Sequence, residues 1–119
     1  NKNSVLKTIN KIYSIDTLSH FLGGLSIAYV AYHILFLVEK KGWLTIKQNI
    51  LRLIIIVMMV MTIAVLWEFY EFIYDIYLLG PTAQPSVADT IKDLCLGMIG
   101  ALVFSVIKLH RASKKKDLV

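Results

Sequence analysis

Seven ionisable side chains stand at helical spacings that would let them converge on one ion or one substrate. Asp16 and His20 are four residues apart, Glu68, Glu71 and Asp75 fall at i, i+3 and i+7, and Asp89 and Asp93 are again four apart. On an α-helix each set forms a single stripe. Carboxylates with one imidazole are the ligand chemistry of Zn, Mn, Fe or Mg, and a carboxylate-rich set with one His leans towards Mg or Mn over Zn. The His-Glu-x-x-His pattern of zinc proteases does not occur. Around such an ion, an uncoordinated carboxylate would serve as general base for a bound water and His20 as general acid. Glu68, Glu71, His20 and Asp93 are therefore the candidate catalytic residues. Asp16, His20, Glu68, Glu71, Asp89 and Asp93 are the candidate ligands of a divalent metal, Mg, Mn or Zn.

Plainer roles compete for several of these residues. Asp89 completes a capping box that begins at Ser86, Asp16 suits the first turn of a helix that starts near it, and Asp75 stands close enough to a loop to be solvated. Lys92, one turn from Asp89 and next to Asp93, either neutralises the cluster without metal or clamps an anionic headgroup. Glu68 is harder to explain away: it follows an uncharged run directly and is surrounded by Trp67, Phe69, Tyr70 and Phe72. An ionised group near hydrocarbon costs about 2.5–3.5 kcal/mol, so it normally faces the bundle interior, a partner charge or water.

The elements that must position these groups are long and apolar. The chain has 119 residues, 57% of them hydrophobic against about 45–50% in soluble domains, and a mean hydropathy of +0.67. That composition excludes a disordered chain and argues against an ordinary soluble domain. From Thr17 to Val38 no Asp, Glu, Lys or Arg occurs, enough to cross a core of about 30 Å. A second uncharged run, Leu53 to Trp67, continues in helix-compatible pattern to Leu79. Gly80 to Pro85 carries turn chemistry, and Ser86 starts a third helix that reaches about Leu109. Before the first span, Val5, Leu6, Ile9, Ile12 and Tyr13 share one face, the pattern of a short helix on a membrane surface.

The expected fold is all-α and polytopic: an amphipathic interfacial helix over residues 1–15, three transmembrane helices over 16–109, and a basic cytoplasmic tail over 110–119. Two apolar helices buried in a soluble bundle are the competing arrangement, which the run lengths disfavour. Lys40, Lys41, Lys47, Arg52, Lys108, Arg111 and Lys114 to Lys116 gather at one end, so that end is expected in the cytoplasm and the acidic cluster at the outer face. The tail reads as an anchor, with no nucleic-acid partner. Gly23, Gly24, Ala28, Gly97, Gly100 and Ala101 read as packing residues between helices one and three. A lone Cys95 excludes an internal disulfide. The start at Asn1, without the order of a signal peptide, leads us to expect an excised or processed piece with room for upstream helices.

Asp16-x-x-x-His20-x-x-Gly23-Gly24, Trp67-Glu68-x-x-Glu71 and Asp89-Thr90-x-x-Asp93-Leu94 before Gly100-Ala101 together resemble the YjdF-type family of small bacterial integral membrane proteins. More loosely they are similar to the VanZ-like group associated with glycopeptide resistance. The YjdF-type resemblance implies the fold and the site but no particular activity. It also implies more than three crossings, which a short member would complete by self-association. Gly97 stands where the VanZ-like pattern has Asn, a departure that weighs against a VanZ-like activity.

Three functions are consistent with these residues. One is a metal-dependent hydrolase or transferase acting on a lipid or lipid-linked envelope substrate in the cell membrane. Another is a small cation- or proton-coupled transporter or channel subunit, which three helices would build only as an oligomer. The last is a structural subunit that joins copies of itself or a partner membrane protein.

Overall fold

The computed structural model describes residues 2–80 and 86–116, with side chains over 3–80 and 86–112. Among them run α1, Lys2–Lys40; α2, Asn49–Tyr74, extended through Leu79 by a wider π-helical turn, Asp75–Leu79; and α3, Val87–Lys116. The helices go up, down and up, and no strand occurs among the described residues. Pro81 to Pro85, most of the expected turn, lie outside them.

The three helices are each long and apolar enough to cross a membrane. Their packing decides between a lipid and a soluble setting. The buried apolar set is small, Ala28, Ala31, Leu35, Ile46, Ile56, Val60 and Ala101, whereas Leu22, Ile34, Phe36, Met58, Leu66 and Ile107 are among many large apolar side chains left exposed. Such an extensive apolar exterior is far beyond the patches of soluble monomers and suits hydrocarbon. Within it, Thr17, Ser19 and Thr62 donate their hydroxyls to the carbonyls of Tyr13, Ile15 and Met58, each at 2.9 Å, so none needs water.

Two expectations are revised. The segment over 1–15 is not a separate interfacial helix, because α1 continues unbroken from Lys2 to Lys40. Nothing between Tyr13 and Thr17 breaks a helix, and Thr17 and Ser19 back-bond to the preceding turn. Helix three likewise does not stop near Leu109 but winds on to Lys116, so the basic tail begins as helix.

α1 and α3 form the closest pair. A Cβ on Gly24 would collide with the Gly97 carbonyl, and one on Gly100 would meet the Phe21 carbonyl and, at 2.9 Å, the Leu25 nitrogen. Only glycine allows these backbones to approach so closely. Gly23 differs from the expected packing role: open space surrounds the position where its Cβ would stand.

α1 closes at Gly42, φ 75°, where Gly42 N–H donates to Glu39 O at 2.9 Å and Trp43 N–H to Val38 O at 3.2 Å, the paired bonds of a Schellman cap. The following loop is clasped by an ion pair. Arg52 donates from Nη2 to Glu39 Oε1 at 2.7 Å, from Nε to Oε2 at 3.2 Å and again from Nη2 to Ile46 O at 2.6 Å, while Ile46 N–H donates to Glu39 Oε1 at 3.2 Å. At the helical rise, this clasp and the Asp16 to Glu71 level are separated by about 30 Å, one hydrocarbon core.

Candidate functional site

The up-down-up order brings the start of the first span, the end of α2 and the start of α3 to one level. Asp16, Glu68, Glu71, Asp75, Asp89 and Asp93 all line one cavity of about 350 Å³ there, together with Tyr70, Phe72, Tyr74 and Thr90. His20 lines a second cavity of about 330 Å³ that shares Asp16, Glu68, Glu71 and Asp93 with the first. Every sequence-predicted site residue is thus in this end of the bundle.

Lys92 divides the cluster. Its ammonium lies 2.7 Å from Asp89 Oδ1, 3.1 Å from Asp16 Oδ2 and 3.2 Å from Asp93 Oδ1, and 4.1 Å from the centre of the Tyr13 ring. His20 Nε2 lies 3.4 Å from Asp16 Oδ1 and 3.6 Å from Asp93 Oδ2, too long for hydrogen bonds but close enough for attraction once the ring is protonated. Asp93 is 5% exposed, and its Oδ1 has no hydrogen-bond partner even though the Lys92 ammonium is near.

Potential ligand atoms fall into two groups that share the imidazole. One atom each from His20, Glu68 and Glu71 lie within 4.8 Å of one another, and the same holds for Asp16, His20 and Asp93. The first group comes from α1 and α2 and has no lysine in its contacts among the described residues. The second is occupied by the Lys92 ammonium. Asp89 belongs to neither, being turned to Lys92.

The plainer roles are now separable. Ser86 does cap α3, its Oγ accepting Asp89 N–H at 3.3 Å, but the Asp89 carboxylate binds Lys92 instead of returning to the cap. Asp16 is no first-turn residue, since α1 begins at Lys2 and has wound well past the range of the helix dipole. Asp75 opens the π-helical turn and lines the outer part of the first cavity.

The sequence did not pair Glu39 with Arg52: Glu39 stands just past the uncharged run that ends at Val38, and Arg52 just before the one that begins at Leu53. The signal was present: a single acid beside basic residues, one loop away from an arginine in an apolar helix. It also left open which carboxylates Lys92 would reach; Asp16 is 76 positions away and only the tertiary fold joins them.

Neither the curated proteins nor the solved structures give a match to this chain. A family model described as a predicted membrane protein, DUF2238, matches residues 8–114, and the chain belongs to that family.

Proposed function

We propose that the acidic end is a divalent-cation site that hydrolyses or transfers a group of a membrane lipid or lipid-linked envelope substrate. The observation that carries this reading is the convergence of His20, Glu68 and Glu71 from two helices, beside a cavity and at the edge of the spans. A cation there would take Glu68 and Glu71 as anionic ligands and His20 as a neutral one. Mg or Mn needs bonds of about 2.1 Å, so the three side chains would draw inward on binding. The ion would polarise the scissile group and acidify a bound water.

Asp93 is then left as the base: it is buried, its Oδ1 accepts no hydrogen bond and has the Lys92 ammonium 3.2 Å away, and its Oδ2 is 3.6 Å from His20 Nε2. Asp16 and Lys92 support it, Asp16 by orienting the imidazole and Lys92 by balancing the charge of three carboxylates. The Asp16 and Asp93 carboxylates both face Nε2, so a cation bound at Nδ1 would leave them on the imidazole's second nitrogen, the usual supporting arrangement. We keep the YjdF-type resemblance as our reading of the motifs that supply these residues.

The distribution of basic residues supports an outer-face location for the cluster, with the Glu39–Arg52 clasp, Lys40, Lys41 and Arg111 on the cytoplasmic side. Under the same reading, residues 3–15 of α1 extend beyond the polar level and rest against headgroups or against another helix. The bundle measures 64 × 30 × 18 Å and leaves large apolar side chains exposed on all three helices, Leu22, Leu66 and Ile107 among them. A second copy or a partner subunit would complete it.

Elemental mass spectrometry of the detergent-purified protein tests the reading. Stoichiometric Mg, Mn or Zn that is lost in the Glu68→Gln, Glu71→Gln double variant is the expected result, and a metal-free wild-type protein after purification in each ion would overturn it. A cation- or proton-coupled transport reading draws on one specific feature, the descent of the second cavity from His20 to Val60 inside the membrane.

A further inference from the structure

The two cavities at the acidic end differ in character and share Asp16, Glu68, Glu71 and Asp93 in their walls. The outer one is acidic and aromatic. It sets Asp75 and Asp89 beside Tyr70, Phe72 and Tyr74, and the Trp67, Tyr70 and Tyr74 rings follow one another at 5.5 and 6.1 Å. Its carboxylates outnumber Lys92, the cation paired with them among the described residues.

The inner cavity is apolar below the carboxylates, walled by Gly23, Gly24, Ile27, Val60, Ile63 and Ala64. Gly24 is pressed on Gly97, but Gly23 faces open space, which keeps a slot between α1 and α2. At the mouth of that slot Ile63 is 44% and Trp67 52% exposed, so it opens sideways, where the surrounding phase is lipid. From Glu71 to Val60 it runs about 16 Å along α2, half of a core of about 30 Å and so the depth of one leaflet.

An apolar slot one leaflet deep, open to lipid and ending under an acidic, aromatic chamber, matches an amphiphile with a cationic head. From this geometry we infer that the site binds an amine-bearing zwitterionic phospholipid, one hydrocarbon chain in the slot and the ammonium in the outer chamber. The net negative chamber attracts an ammonium and repels a purely anionic head, and aromatic faces add cation–π attraction. Asp93, buried and lining both cavities, has an Oδ1 that accepts no hydrogen bond although the Lys92 ammonium is 3.2 Å away, and it stands where the head and chain regions meet. The inference deepens the hydrolase reading by naming its substrate class, although lipid capture itself does not require the metal.

The test is native mass spectrometry of the intact chain in detergent, titrated with dioleoyl phosphatidylethanolamine or with dioleoyl phosphatidylglycerol, which has the same chains and no amine. The expected result is retention of the amine lipid at about tenfold lower concentration, equivalent to about 1.4 kcal/mol. Gly23→Leu, which fills the slot, and Ile63→Trp, which narrows its mouth, should each lower retention of both lipids. Asp75→Asn should reduce the preference and leave the chain seat intact. Equal retention of the two lipids, or undiminished retention in both slot variants, would overturn the inference. Metal content is read from the same samples. Amine-selective binding by metal-free protein would sink the hydrolase reading alone, and stoichiometric metal with unselective lipid binding would sink this inference alone.

Discussion

The Lys92 ammonium rests 3.1 Å from Asp16 Oδ2 and so ties α3 to α1 at the polar end of the bundle. With Asp89 and Asp93 also in reach, one cation serves three carboxylates from two helices. Removing one partner of a buried pair costs about 3–5 kcal/mol. Asp16 is 39% exposed here, which tempers the loss. Lys92→Met is therefore expected to destabilise by about 2 kcal/mol, seen as a lower midpoint in SDS-induced unfolding. Adding Asp93→Asn to Lys92→Met should restore part of that loss, since it removes the buried charge left behind. A double variant less stable than Lys92→Met would show that Lys92 does not neutralise Asp93.

A divalent cation held as proposed by His20, Glu68 and Glu71 should depend unequally on the acids of the divided cluster. Glu68→Gln or Glu71→Gln alone should weaken a bound divalent ion by on the order of 100-fold, because each removes an anionic ligand. Asp93→Asn, which acts on His20 from outside the ligand set, should cost about tenfold, the lower range for such supporting groups. Asp89→Asn should leave affinity nearly unchanged, since its carboxylate is turned to Lys92. Isothermal titration with Mn checks all four. An Asp89 effect as large as that of Glu71 would put the ion in the Lys92 half of the cluster.

Much of this arrangement was legible in the sequence. Charge-free runs gave the spans, and helical spacing with alternating direction was enough to bring Asp16, His20, Glu68, Glu71, Asp89 and Asp93 to one end. What failed to show was whatever depends on neighbours distant in sequence. A surface helix and the first turns of a spanning helix have the same 3.6-residue period, so Val5 to Tyr13 could not reveal that α1 is continuous. The Glu39–Arg52 clasp depends on how the loop at Ile46 folds back, which spacing does not specify. Gly23 and Gly24 are adjacent and chemically identical, yet one is pressed on Gly97 and the other faces a slot.

That difference between adjacent glycines is itself testable. Gly24→Ala would drive its methyl into the backbone of Gly97, where no flexible side chain can give way, and should cost about 3 kcal/mol, the upper range for overpacking. Gly23→Ala meets nothing and should stabilise by about 0.5–1 kcal/mol through reduced backbone freedom of the unfolded chain. Thermal unfolding in detergent, followed by circular dichroism, separates them. Equal loss in both would mean that α1 and α3 meet on a different face.

The clasp at the opposite end predicts a local effect. Arg52 holds Glu39 through a fork of two nitrogens while also binding the Ile46 carbonyl, a geometry that a lysine ammonium cannot reproduce. Arg52→Lys should therefore behave more like Arg52→Gln than like wild type. In either variant the Glu39 carboxylate loses its partner, and the loop bond from Ile46 N–H to Glu39 Oε1 opens more readily. Hydrogen exchange at the Ile46 amide should accelerate by about tenfold, equivalent to about 1.4 kcal/mol of local protection. Amides in the middle of α1 and α3 should hardly change, because their bonds lie within the helices and away from the loop. Unchanged Ile46 exchange in Arg52→Gln would show that burial of the Ile46 side chain, 3% exposed, holds the loop without the ion pair.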